Sequence, residues 1–453
     1  MRNLLVLASL LCSTTALAAR HELALSPARL DQLGALATGS SLVVEGFPDG
    51  HGGRGDVRFT RIDVYAPGAR LVASGPDGEH ELPRSERIEL IGSDDSGRTR
   101  VHLAFDPGFR NIVGAGSGPS GTFSIAARDE AGAARLVVQP TEEALPPGVR
   151  PEVLPTEDGL SGPQPASLPL IDLGVEAIAA TPRGATVAVD VDHELLVNRF
   201  GGTAPANLTA ATNWIADLFA TMNVMYVRDL NVTLQQGTTI FRTGATPYVI
   251  KANQAADGTD LNNFGAYWLA NHAAVPRAFA MLLSGQLSGG FNSSGIAWIN
   301  SYCQKGTTSG GNTYGSYSVT KVFTSAQVGV DLSARVVGHE LGHNFGAAHT
   351  HCTNASTGAW PSASGTIDMC RSGESMNGGA CYSGTTSCPA SGPGAPAGTL
   401  MSYCNMIQCG SGGQNVLQFH PTQVTTLSAL IAQNTPACIL PKADPIFRNG
   451  FDG

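Results

Sequence analysis

The chain has 453 residues, 42% of them hydrophobic and only 14% charged, with 55 Gly and 27 Pro. This is more chain than one small core can use, and the composition is turn- and strand-rich, which excludes a coiled coil or a long helical bundle. Lys+Arg 27 against Asp+Glu 36 leaves a net charge of −9, which argues against a protein that binds nucleic acid by neutralising phosphates.

At the N-terminus, Arg2, the apolar run Leu4–Leu11 and the small residues Ala16, Ala18 and Ala19 follow the order of a secretory signal peptide. Residues 1–19 are therefore expected to direct export and to be removed. The run is shorter than the ~20 apolar residues a membrane span needs, and no later stretch supplies one, so no membrane span is expected. Residues 20–139 alternate strand-like runs with turn chemistry: Ser41–Phe47, Val57–Tyr65, Arg87–Ile91, Arg100–Phe105 and Gly121–Ala127. A β-rich N-terminal domain, sandwich or open sheet, is expected there. Residues 140–180 contain Pro140, Pro146, Pro147, Pro151, Pro155, Pro163, Pro165 and Pro169, the composition of an exposed linker open to proteolysis.

A second domain is expected over residues 181–440. Ala185–Val191 reads as a strand. Asn207 is placed to cap a helix whose apolar face carries Leu208, Ala211, Ile215, Leu218, Phe219 and Met222. Val224–Val227, Val232–Phe241 and Gly295–Tyr302 read as strands, and Phe264–Ala270 and Pro276–Leu283 as helices. Strands alternating with helices predict an α/β sheet layer. Residues 441–453 form a short tail to which no role is assigned.

The segment from Asp331 to His349 carries the chemistry. Asp331 can cap a helix with Leu332, Val336, Val337 and Leu341 on its apolar side. His339 and His343 are four residues apart, so both imidazoles leave one face and can reach a common cation at the ~2.0–2.1 Å of a zinc–nitrogen bond. Glu340 can touch water at that cation without binding it. Gly346 can turn the chain in a left-handed conformation and bring back His349 as third ligand. Three imidazoles leave a fourth position open, the property of a catalytic rather than a structural zinc site. His351 is an alternative third ligand with the wrong spacing. Asp368 and Glu374 lie in a Cys- and Gly-rich loop, where they read as solvated groups or as ligands for Ca2+. Once Cys12 leaves with the leader, Cys303, Cys352, Cys370, Cys381, Cys388, Cys404, Cys409 and Cys438 remain. Their even number in an exported chain reads as up to four disulfides of undetermined pairing.

His339-Glu-Leu-Gly-His343-Asn-Phe-Gly346-Ala-Ala-His349, followed by Gly398-Thr-Leu-Met401-Ser-Tyr403-Cys404, resembles the metzincin clan of zinc endopeptidases with its downstream Met-turn. Within the clan, residues 185–410 are most similar to secreted bacterial reprolysin (adamalysin-like) proteases. Thr350 stands where reprolysins usually carry Asp, and Met401-Ser-Tyr403 also resembles astacins and serralysins. The resemblance implies an α/β (α+β) catalytic domain with a twisted mixed β-sheet, an active-site helix and a Met-turn. It implies one catalytic Zn2+ on His339, His343 and His349, Glu340 as general base, and Met401 as an apolar floor beneath the ligands. Tyr403 would be an oxyanion stabiliser or a buried Tyr with its hydroxyl satisfied within the protein, and Gly295–Tyr302 a cleft rim pairing with protein or peptide substrates. Leu42–Phe59 resembles the start of a propeptide, so residues 20 to about 180 are expected to form an inhibitory prodomain. No Cys lies between 20 and 302, so the cysteine cap many relatives place on zinc is absent. A secreted endopeptidase made as a zymogen is therefore expected. The alternative is a non-catalytic binding module with a retained adhesive N-terminal domain, which would have no need of Glu340.

Overall fold

The computed structural model describes residues 21–108, 111–130, 133–146, 149, 151–154, 159–160, 182–387, 398–404, 415–434 and 438–442. The expected leader, Cys388, Cys409 and the tail beyond 442 lie outside the described residues. Two sheets and the helix between them organise the chain.

The N-terminal sheet is an open antiparallel meander, not a sandwich. Its strands are β1 (His21–Ala24), β2 (Ser41–Pro48), β3 (Arg54–Ile62), β6 (Ile88–Ser93), β7 (Arg100–Phe105), β8 (Val113–Gly118), β9 (Gly121–Glu130) and β10 (Ala133–Pro140). They lie in the order β1-β10-β9-β8-β7-β6-β3-β2. A short helix, α1 (Pro27–Gly34), buries Leu30 and Leu33 against it. Among its described residues, the expected linker is not detached. Its two-residue strand β11 (Glu152–Val153) joins the second sheet.

The second sheet is mixed. It contains β4 (Leu71–Gly75), β5 (Gly78–Leu82), β12 (Arg183–Val191), β13 (Val232–Arg242), β14 (Phe279–Ser284), β15 (Asn292–Ala297) and β18 (Tyr317–Lys321). The order is β11-β15-β18-β14-β12-β13-β4-β5. β12, β13, β14 and β18 run parallel, and β15 runs antiparallel to β18. The hairpin β4–β5 comes from the N-terminal region yet continues this sheet beyond β13. The expected boundary between two separate domains is therefore crossed by a shared sheet. At the other end of the chain, Leu440 and Pro441 pair with β12, so the sheet also takes in the first residue of the expected tail.

Helix α3 (Pro205–Leu230) follows α2 (His193–Phe200) and lies between the sheets, against β13 on one side and β6, β7 and β8 on the other. Most of its positions from Leu208 to Tyr226 are buried, because the N-terminal sheet covers the face that would otherwise meet water. Three expectations are corrected here. Ala204, not Asn207, is the N-cap residue. Val224–Val227 is the continuation of α3, which stops only at Asn231 in the left-handed conformation (φ 53°). The segment 276–283 is strand β14 from Phe279 onward, not a helix. The expected helix at 264–270 is α4 (Gly258–Asn271), capped by Asp257, whose carboxylate accepts from Thr259 N at 2.9 Å.

Candidate metal centre

Helix α5 (Val330–Phe345) carries His339 and His343 on one face, their ring centroids 4.7 Å apart. Its N-cap residue is Gly329, not Asp331; Asp331 sits in the first turn and accepts from Ser124 Oγ of β9 at 2.8 Å. The helix ends at Gly346, whose φ of 109° would strain any residue with a Cβ. Gly346 N donates to His343 O at 2.8 Å and Ala347 N to Gly342 O at 2.9 Å. These bonds satisfy the last carbonyls and turn the chain back towards its own ligand face.

His349 thereby reaches the other two rings. Its Nε2 lies 3.3 Å from His339 Nε2 and 3.2 Å from His343 Nε2. These contacts are not hydrogen bonds, because every opposite nitrogen already faces an acceptor. His339 Nδ1 is 2.8 Å from Leu400 O, His343 Nδ1 2.8 Å from Ala347 O, and His349 Nδ1 2.6 Å from Glu374 Oε1. Each Nδ1 is thus the protonated nitrogen, and three Nε2 lone pairs are left pointing at one another. A cation at the point of convergence would make that arrangement favourable. Donors placed tetrahedrally at ~2.0–2.1 Å around zinc would stand about 3.3–3.4 Å apart, close to the spacing found. The donor set fits zinc.

Glu340 is buried next to His339. A Cβ at Gly295 of β15 would overlap Oε1, Cδ and Cγ of Glu340, so the bare backbone of this strand makes the space the carboxylate occupies. Asn300 N and Ser301 N donate to the carbonyls of His343 and Asn344 at 2.9 and 3.0 Å. Asn344 Nδ2 donates to Trp298 O at 2.8 Å. The loop after β15 is therefore fastened to the end of α5. The strand stops at Ala297, and the expected remainder up to Tyr302 is this loop.

Met401 is fully buried, with its Sδ 2.7 Å from where a Cβ at Gly342 would lie, and its carbonyl accepts from Thr350 N at 3.0 Å. Tyr403 is buried with its ring centroid 4.5 Å from that of His349. Asp368 ties these pieces together: Oδ2 accepts from the hydroxyls of Thr350 and Ser402, and Oδ1 from Cys370 N at 3.1 Å. Disulfides join Cys303–Cys438, Cys352–Cys381 and Cys370–Cys404.

Two expectations about the loop are corrected. Glu374 is buried, and both its oxygens are taken by imidazoles, Oε1 by His349 and Oε2 by His351 Nε2 at 2.8 Å. Burial alone would raise its pKa. The hydrogen bonds from His349 and His351 oppose this and hold the carboxyl below the usual carboxylate range. Asp368 is likewise committed to protein donors, not to solvent alone. His351, directed at Glu374, stands apart from the trio. No local motif marks Glu374; the Cys352–Cys381 bridge brings its loop back to the ligands, a pairing the sequence left undetermined.

The outer edge of β15 is covered by the chain itself. β11 pairs with it in parallel, with Glu152 N donating to Phe291 O and Leu154 N to Ser293 O, both at 2.8 Å. Further along, Leu160 N donates to Ala297 O and Ile299 N to Leu160 O, again at 2.8 Å. A Cβ on Gly159 would lie 2.9 Å from His343 Cε1, so this strap passes directly beside the histidines. No sequence motif announced it.

A family model described as metallo-peptidase family M12, of reprolysin type, matches residues 181–419. Among solved structures, the chain is similar to metalloproteinase-II from Bacteroides fragilis, with 10% identity and a TM-score of 0.37 over 74% of this chain and 90% of that one. No curated protein matches the chain significantly.

Proposed function

The chain belongs to metallo-peptidase family M12 as a reprolysin-like metzincin and zinc metalloendopeptidase, and from that premise we propose that it is exported as an inactive precursor, with zinc on His339, His343 and His349 and Glu340 as general base. The observation that carries the ligand assignment is the three Nδ1 atoms facing acceptors while the three Nε2 atoms converge. Export is supported by the three disulfides. No helix among the described residues is long and apolar enough to cross a membrane.

When bound, zinc supplies a Lewis acid that polarises a carbonyl and makes water deprotonable near neutral pH. Glu340 accepts the proton of the attacking water and returns it to the leaving amine. Its burial against Gly295 keeps bulk water from competing for the carboxylate. Met401 forms the apolar floor under the ligand helix, the part a Met-turn plays. Tyr403, beside His349, is proposed to stabilise the developing oxyanion. In the precursor, the strap occupies the backbone edge of β15, where an extended peptide substrate would add as a strand. We assign residues 1–19 to a signal peptide, the N-terminal region to a prosegment and 181–440 to the peptidase.

Glu340→Ala tests the base. It is expected to retain zinc while peptide hydrolysis falls about 10²–10⁴-fold, read by metal analysis and cleavage of a peptide library. A variant as active as the parent would remove Glu340 from the mechanism.

A further inference from the structure

Two of the three converging histidines are oriented by main-chain carbonyls, Leu400 O and Ala347 O. The third, His349, is oriented by a side-chain carboxyl 25 residues away, Glu374, whose other oxygen holds His351. His349 and His351 stack with centroids 5.2 Å apart and planes 13° from parallel. Arg371 Nε, 3.3 Å from Oε2, completes the group. Two imidazoles of like shape therefore lie side by side near the zinc position, and the carboxylate binds them through different nitrogens: Nδ1 of His349, Nε2 of His351.

We propose that Glu374 is a positioning residue that selects the third zinc ligand, fixing His349 with Nε2 aimed at the metal and holding His351 out of coordination. The proposal rests on the reading of His339, His343 and His349 as the zinc ligands. A carboxylate accepts the Nδ1–H of His349 more strongly than a carbonyl would, which locks the tautomer and makes Nε2 a better donor to the metal. The same carboxylate takes the Nε2–H of His351, so that this nitrogen has no lone pair to offer a metal. Without Glu374, His349 loses its preferred tautomer and His351 becomes a competitor two residues away.

The test uses the full chain in the Glu340→Ala background, to prevent self-cleavage. Zinc affinity is measured by competition with a chromophoric chelator, and the ligand field by the visible spectrum of the cobalt-loaded protein. Glu374→Ala and Glu374→Gln are expected to weaken zinc binding about 10–100-fold and to alter the cobalt spectrum. Glu374→Asp should recover part of both, and His351→Phe should leave the spectrum unchanged. Parental affinity and spectrum in either Glu374→Ala or the near-isosteric Glu374→Gln, folded by circular dichroism, would overturn the proposal. Should Glu374→Ala fail to fold, Glu374→Gln decides. His343→Ala separates the two readings: parental zinc affinity there would sink the ligand assignment itself, whereas lost affinity there with parental Glu374 variants would sink only the selector.

Discussion

Glu340 has its reach set by a residue with no side chain. Gly295 faces it from β15, and a methyl group there would overlap the carboxylate. Gly295→Ala is therefore expected to push Glu340 aside by roughly 1 Å, enough to lower kcat about 10²-fold, while zinc content stays at the parental level because the three imidazoles are untouched. Metal analysis beside steady-state kinetics of the processed enzyme checks this; an unchanged kcat would mean the carboxylate has room to move. At this scale the histidines were legible in the sequence because their relation is local: helical pitch relates His339 to His343, and the left-handed turn at Gly346 relates both to His349. Gly295 and Glu374 were not legible as partners of those residues. Their contacts are made by strands and loops that meet only in three dimensions, and nothing in a run of Gly, Ser and Cys says which side chain will be buried.

Elements were legible where one face meets water and misread where neither does. The apolar run at 279–284 is covered on both faces, so alternation is lost and a strand cannot be told from a helix by period. In α3, β-branched Val224 and Val227 suggested a strand, but the helix continues through them because the two sheets pack on it. That packing also buries charge. Glu89 of β6, His102 of β7 and Asp217 of α3 meet with Arg87, Asp106 and Thr221 around them. Burial, with Arg87 opposing, pushes Glu89 up to about 7, and burial together with the charge of Glu89 raises Asp217 well above the usual range. Burial lowers His102 to about 4. A carboxyl raised in the fold stabilises it at low pH and loses that contribution as pH rises through about 7, whereas the depressed His102 loses its contribution as pH falls from 6.5 towards 4. Between pH 5 and 6.5 the two raised carboxyls outweigh the one lowered imidazole, and only the carboxyl effect remains above. The thermal midpoint of the Glu340→Ala precursor should decline from pH 5 to 8, most steeply between about 6.5 and 7, where His102 no longer offsets the two carboxyls. Glu89→Gln, which leaves Asp217 to oppose His102, should make the profile nearly flat below 6.5 and shallower above it; an unaltered profile would take the pH dependence away from this cluster.

Across the whole molecule, the N-terminal region is attached in two ways of very different strength. Ile62, Val64, Tyr65, Leu71, Ala73 and Ile91 share one core with α3 and β12, and β4–β5 extend the peptidase sheet. Removing them would bare apolar surface along α3 and an unpaired edge at β13. The strap, by contrast, is held by the backbone hydrogen bonds of β11 and Leu160, each worth about 0.5–1.5 kcal/mol net, and by the partly buried side chains of Val153 and Leu160. A cut beyond Leu160 therefore frees the strap far more readily than the sheet. With a specific protease site placed between residues 161 and 180, cutting is expected to raise peptide hydrolysis at least about tenfold, the affinity that loss of roughly 1.4 kcal/mol of competing contact releases. The two fragments should still co-elute on size exclusion, although no Cys between 20 and 302 can link them. Leu160→Asp, which weakens the strap without a cut, should raise the activity of the uncut chain in the same direction. Activity unchanged by the cut would show that the strap is not the block. A peptidase fragment that elutes alone with an unaltered thermal midpoint would show that the shared sheet contributes nothing to its stability.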